Sequence, residues 1–180
     1  MDGETNYKMT DYYAKCLEKG LQYQDFIANI LINELGISLT SYSSKKYQYD
    51  FGENKQGFEI KFDDMYKKTG NIYIEVKEKS NPNNINYVDS GIYREDNTWL
   101  YLIGDYVEIF IFSTKYLRMI YKSNKFEVKQ IATSIGFIIP KKDAEKYCIK
   151  KIELSDIEKT RVLPNVSIKE SLNAQKNKSQ

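Results

Sequence analysis

Along the chain, apolar residues recur first at a helical period and then at a period of two. In LQYQDFIANILINELG, Tyr23, Phe26, Ile27, Ile30, Leu31 and Leu35 fall on one helical face, which predicts an amphipathic helix from Tyr12 that stops at Gly36 and packs on a sheet. Residues 1–10 read as a frayed lead-in. ISLTSYSSKKYQYDFGENKQ mixes short apolar alternation with turn formers and predicts a strand or extended arm followed by a loop through Gly52, Glu53 and Asn54.

Two alternating runs come next. Phe58, Ile60 and Phe62 share one parity with Glu59, Lys61 and Asp63 between them, and Ile72, Ile74 and Val76 alternate with Tyr73, Glu75 and Lys77. Each run predicts a strand with one buried and one polar face. If the two strands are neighbours, Lys61 stands opposite Glu75 and Glu59 opposite Lys77. The connection MYKKTGN closes on a Gly-Asn turn signal, and KSNPNNINYVDSG is polar loop.

TWLYLIGDYVEIFIFST predicts a tight hairpin turning at Gly104-Asp105, and TKYLRMIY a short helix capped by Ser113 or Thr114. KFEVKQI and GFIIP predict further strands, and Pro140 is placed to initiate a helix through KKDAEKYCI. The elements describe an α/β or α+β domain on a sheet, taken as one domain over residues 1–170, with a disordered tail at 171–180.

Composition narrows the chemistry more than the partners. The 27 Lys plus Arg against 25 Asp plus Glu give a net charge of +2, which permits nucleic-acid binding without requiring it. With 0 histidines, His-ligated zinc and Ser-His-Asp or Cys-His catalysis are excluded. Cys16 and Cys148 are expected as buried thiols in a reduced compartment. The 16 tyrosines suit a wet groove for phosphate and base contacts. No run of about 18 apolar residues and no secretory apolar segment is present in the sequence, so a cytoplasmic location is expected, in a bacterial cell or a phage-infected host.

What remains is carboxylate and lysine chemistry. Carboxylates around Mg²⁺ can neutralise a phosphodiester and stabilise its leaving oxygen, and a lysine two residues beyond a metal-binding Glu reaches the same face. As a purely structural alternative, Lys61–Glu75 and Glu59–Lys77 would form an ion-pair ladder contributing roughly 0.2–1 kcal/mol per pair.

An acid followed by Glu-x-Lys on a strand, in QYDFGENKQGFEIKFD and TGNIYIE with DSGI downstream, resembles the PD-(D/E)XK nuclease superfamily, and small phage and bacterial nuclease-like proteins in particular. The resemblance implies a restriction-endonuclease-like core, a central mixed sheet flanked by helices. It also implies a Mg²⁺-dependent DNA endonuclease, with Mn²⁺ as a substitute, serving restriction or phage DNA processing.

Carried over, Glu59 and Lys61 match the Glu-x-Lys pair, Glu53 the first acid with Asp50 as its rival, Asp63 and Glu75 further acids, and Asp25 a helix acid. Glu53, Glu59, Asp63 and Glu75 would hold the metal, and Lys61 would orient water. A competing alignment takes Glu59 as the first acid and Glu75-Val76-Lys77 as the triplet. The Pro-Asp that names the superfamily is absent.

Lys67, Lys68, Arg94, the lysines of SSKK and the loop at Gly91 are candidates for contacts to double-stranded DNA, with a homodimer supplying a second active site for double-strand cutting. Trp99 is expected in the core and Tyr73 on the active face. Two other readings share these residues: an inactive nucleic-acid-binding or assembly protein, and a junction-, flap- or RNA-directed phosphodiesterase.

Overall fold

The computed structural model describes residues 3–63 and 65–155, with side chains for all of these except residues 3–13, Lys45 and Tyr49. The tail expected at 171–180 and the end of the expected domain lie outside the described residues. Helix α1 (Gly3–Leu35) is followed by α2 (Lys45–Phe51), β1 (Phe58–Phe62), α3 (Tyr66–Thr69) and β2 (Asn71–Glu78). Then come β3 (Val88–Asp89), a 3-10 turn (Gly91–Tyr93), β4 (Leu100–Gly104), β5 (Glu108–Ser113), α4 (Thr114–Lys122), β6 (Val128–Ile131), β7 (Ser134–Pro140), α5 (Lys141–Tyr147) and β8 (Lys150–Glu153).

The first helix begins at Gly3 rather than Tyr12, because a polar segment without proline extends a helix as readily as it frays. Its apolar stripe is the expected one. Tyr23, Phe26, Ile27, Ile30 and Leu31 are buried, while Leu35 in the last turn stays exposed. Burial of each such side chain contributes roughly 1.5–3 kcal/mol. The extended arm expected after α1 contains α2 instead. Ser44 Oγ accepts a hydrogen bond from Tyr47 N at 3.2 Å, and the Tyr47 and Phe51 rings stack with centroids 5.9 Å apart, so a cap and an i,i+4 pair fix the short helix.

The strands form two sheets, ordered β1-β4-β5-β8 and β3-β2-β7-β6. In the first, β1 runs parallel to β4 with Glu59 opposite Tyr101, and the β4–β5 and β5–β8 pairs are antiparallel, so this sheet is mixed. The second is antiparallel throughout.

The expected adjacency of the first two strands is therefore corrected: β1 and β2 lie in different sheets, and neither Lys61–Glu75 nor Glu59–Lys77 is a cross-strand pair. The apolar LYLIG of β4 covers the flank of β1, while β2 finds a longer antiparallel partner in β7. The hairpin at Gly104-Asp105 and the helix capped by Ser113, whose Oγ accepts from Tyr116 N, are as expected. Strand β8 was not foreseen.

On one face of the mixed sheet, Phe58, Ile60, Leu102, Ile109 and Ile111 pack against α1. The other face, with Tyr101, Ile103, Phe110 and Phe112, shares a core with Ile72, Ile74 and Phe137 of the second sheet. Glu59 and Lys61 have the parity of Tyr101 and Ile103, so β1 sends its charges toward the joint between the sheets. Among the described residues no helix is long and apolar enough to cross a membrane.

Candidate functional site

The expected polar face of β1 is not solvated: Glu59 is 0% exposed. Lys61 Nζ lies 2.8 Å from its Oε1, and the lysine side chain is 33% exposed. Apart from that ion pair, neither carboxylate oxygen has a hydrogen-bond partner among the described residues. A charge removed from water this completely is normally fully hydrogen-bonded. Burial acts to raise the Glu59 pKa, but the Lys61 ammonium and then the Arg94 guanidinium outweigh it and hold the carboxyl below its ordinary range. For Lys61, burial acts downward, and Glu59, Tyr101 and Glu53 overcome it, so the ammonium is held above its ordinary value.

Glu53 reaches the same strand from its free edge. Its Oε2 accepts from Ile60 N at 3.2 Å and from Gln24 Nε2 at 3.4 Å. Burial pushes its pKa up to about 7; Lys61 opposes the rise and the like charge of Glu59 adds to it. Two carboxylates here compete for one ammonium.

Glu75 arrives from the second sheet. Its Oε1 accepts from Ser90 Oγ at 2.7 Å, and burial raises its pKa against the pull of Lys61 and Ser90. Gly91 makes this contact available. A Cβ there would lie 2.3 Å from the carbonyl oxygen of Glu75, and its φ is +51°, so glycine lets the turn after β3 press onto β2.

Lys77 does not accompany Glu75. A bulge intervenes between them, and Lys77 pairs instead with Asp89 at 3.8 Å, both side chains well exposed.

The remaining candidates are dispersed. Asp63 Oδ1 accepts from Met65 N at 2.9 Å and from Tyr66 N at 3.1 Å, which ties it to the start of α3. Asp50 is exposed on α2, and Asp25 is exposed on α1, where it lines a separate cavity with Gln24 and Glu53. Among the described residues, no group of three or more His, Cys, Asp or Glu could hold a metal ion. The expected joint site of Glu53, Glu59, Asp63 and Glu75 is thus not assembled, because β1 and β2 do not lie side by side.

Lys61, Asp63, Tyr73, Glu75 and Tyr101 do line one cavity of about 550 Å³, with Ile103 and Ile138 among its apolar walls.

Other expectations are corrected. Trp99 is 57% exposed, its Nε1 donating to Gln56 O at 2.7 Å, because it precedes β4, which begins at Leu100. Cys16 is exposed and Cys148 half-buried, both as free thiols. Lys67 is engaged at 2.5 Å by Asp105.

That contact belongs to a second polar cluster, where the single Tyr66 Oη proton is shared between Asp105 Oδ1 at 3.2 Å and Glu108 Oε2 at 3.0 Å. Lys141 and Lys151 complete the pairing of Glu108. Glu108 has three partners there, whereas the more deeply buried Glu59 has, among the described residues, the Lys61 ion pair alone. Sequence reasoning missed Ser90 and Tyr101, and did not foresee that the Arg94 charge also acts on Glu59; the DSGI segment was the one legible hint of Ser90.

Comparison with known protein families, curated proteins and solved structures found no match.

Proposed function

We propose that the chain is a metal-dependent phosphodiesterase acting on DNA, an endonuclease of the restriction-endonuclease-like kind centred on Glu59 and Lys61. The observation that carries this reading is the buried Glu59 carboxylate, whose oxygens have no hydrogen-bond partner among the described residues beyond the ion pair with Lys61. A buried carboxylate left in this state, beside a second one pushed up to about 7, is the arrangement expected where a cation or a substrate completes the site.

The donor set fits Mg²⁺, or Mn²⁺ in its place, in chemistry: all the candidate ligands are oxygens, and Mg²⁺ is usually held by one or two carboxylates with water and substrate phosphate filling the rest. Glu59 and Glu53 would hold it, with Glu75 on the cavity wall. When bound, the ion would supply charge neutralisation to the phosphate and its leaving oxygen.

The chain's own part is positional. Lys61 stays cationic, so it serves as an electrostatic anchor for a phosphate oxygen and an orienting donor for water rather than as a proton acceptor. Glu59 fixes the ammonium, and Tyr101, opposite Glu59 on β4, lines the same cavity as Lys61.

A second reading, binding without cleavage, is favoured by one observation: no group of three or more metal-binding side chains comes together among the described residues. Plasmid cleavage separates the two. Nicking or linearisation in Mg²⁺ or Mn²⁺, abolished by EDTA and lost in Glu59→Gln and Lys61→Ala but retained in Lys77→Ala, supports the hydrolase. Wild-type protein that retards DNA yet leaves it intact in every cation sinks it.

A further inference from the structure

The cavity beside Lys61 has a composition that a duplex does not need. Its walls are largely apolar, from Met65, Ile103, Ile131 and Ile138, while Lys61 and Lys129 bring positive charge to it and Asp63 and Glu75 negative. Its volume of about 550 Å³ falls in the range of roughly 300–1,000 Å³ typical of small-ligand sites.

Tyr73 is held in place within this wall. Its hydroxyl lies 2.8 Å from Ser134 Oγ, and its ring packs across Gly136, where a Cβ would come within 2.5 Å of the ring. A side chain at position 136 would collide with the ring, so glycine lets Tyr73 cross β7, and together with the Ser134 contact this fixes the aromatic surface before any ligand arrives.

A duplex presents sugar and phosphate outward and keeps its bases stacked, so it can fill an apolar recess only by extruding a base at the cost of a few kcal/mol. An unpaired nucleotide offers a π-face and a phosphate together.

We propose that this cavity receives one unpaired nucleotide, its base against the Tyr73 ring and the isoleucine wall and its phosphate toward Lys61, so that single-stranded or frayed DNA is preferred over intact duplex. The proposal rests on the hydrolase reading for its place beside the reacting centre, but binding alone tests it. Lys129, on the exposed strand β6 and also lining the cavity, is placed to meet the next phosphate along the strand.

The experiment is fluorescence anisotropy in EDTA, with the full chain titrated into a labelled single-stranded oligodeoxynucleotide and into the same sequence as a duplex. The single strand should bind at least about tenfold more tightly. Tyr73→Ala should weaken it about 5–100-fold, as loss of one base-stacking surface does, and Tyr73→Phe should retain most of the affinity because the ring remains. Ile131→Glu, at an exposed position on the cavity wall, should also weaken it, and decides the matter if Tyr73→Ala does not fold.

Equal affinity for duplex, no binding of the single strand, or single-strand binding unmoved by both substitutions overturns the proposal. If that happens while Mg²⁺-dependent plasmid cleavage persists, the hydrolase stands without this cavity. Tyr73-dependent binding by a protein that cleaves nothing keeps the cavity and removes the hydrolase.

Discussion

Lys61 Nζ sits 2.8 Å from Glu59 Oε1, two residues back on the same strand, and the glutamate is 0% exposed. Removing the lysine leaves a buried, uncompensated carboxylate, which typically costs about 3–5 kcal/mol. Lys61→Met should therefore destabilise the fold by that order in urea denaturation. Glu59→Gln should do so by less, and the double variant by less than the sum. Additive losses would show that the two groups do not hold each other.

Glu53 gives the fold a pH dependence of known sign. Its folded pKa of about 7 lies above the ordinary 4.5, so its neutral form is favoured in the fold, and the associated stability is present below pH 4.5 and lost as pH rises through 7. In EDTA, Glu53→Gln should be more stable than the wild type at pH 8 by on the order of 1–3 kcal/mol and close to it at pH 4.5. A variant less stable at pH 8 would refute the burial of this charge.

Gly91→Ala should destabilise by about 1–3 kcal/mol or more, since the position combines positive φ with a backbone approach to Glu75. Differential scanning calorimetry measures the loss. Ser90→Ala, which keeps the turn and removes only the bond to Glu75, should cost about 1 kcal/mol, so the two substitutions separate backbone fit from the side-chain contact.

Lys77→Ala should stay within about 0.5 kcal/mol of the wild type in chemical denaturation, because its pair with Asp89 is exposed and 3.8 Å long. Cleavage lost in this variant alone would move the centre to Glu75 and Lys77.

The local part of this architecture was legible in the sequence. The α1 stripe, the turn at Gly104-Asp105, the Ser113 cap and the helix after Pro140 each follow from a few adjacent residues, and each is found. What escaped is non-local. Nothing near Glu59 says that β4 will lie beside it or that the second sheet will cover the face it shares with Tyr101, yet together these bury Phe58, Glu59 and Ile60 alike.

The same limit hid Ser90 and Tyr101, which meet the candidate site through pairings set far away in the chain. Strand β8 was hidden for another reason. KKIE carries a single buried residue, Ile152, and its lysines are recognisable as strand positions only once Glu108 and Glu145 are seen to pair with Lys151.

The placement of the Glu53 carboxylate on Ile60 N has one more effect. β1 borders its sheet, and a bordering strand with bare amides invites a foreign chain to add itself. By occupying an outward-facing amide, the side chain blocks that docking line. A loop residue thus guards the protein against self-association at the same spot where burial presses its carboxyl toward the neutral form.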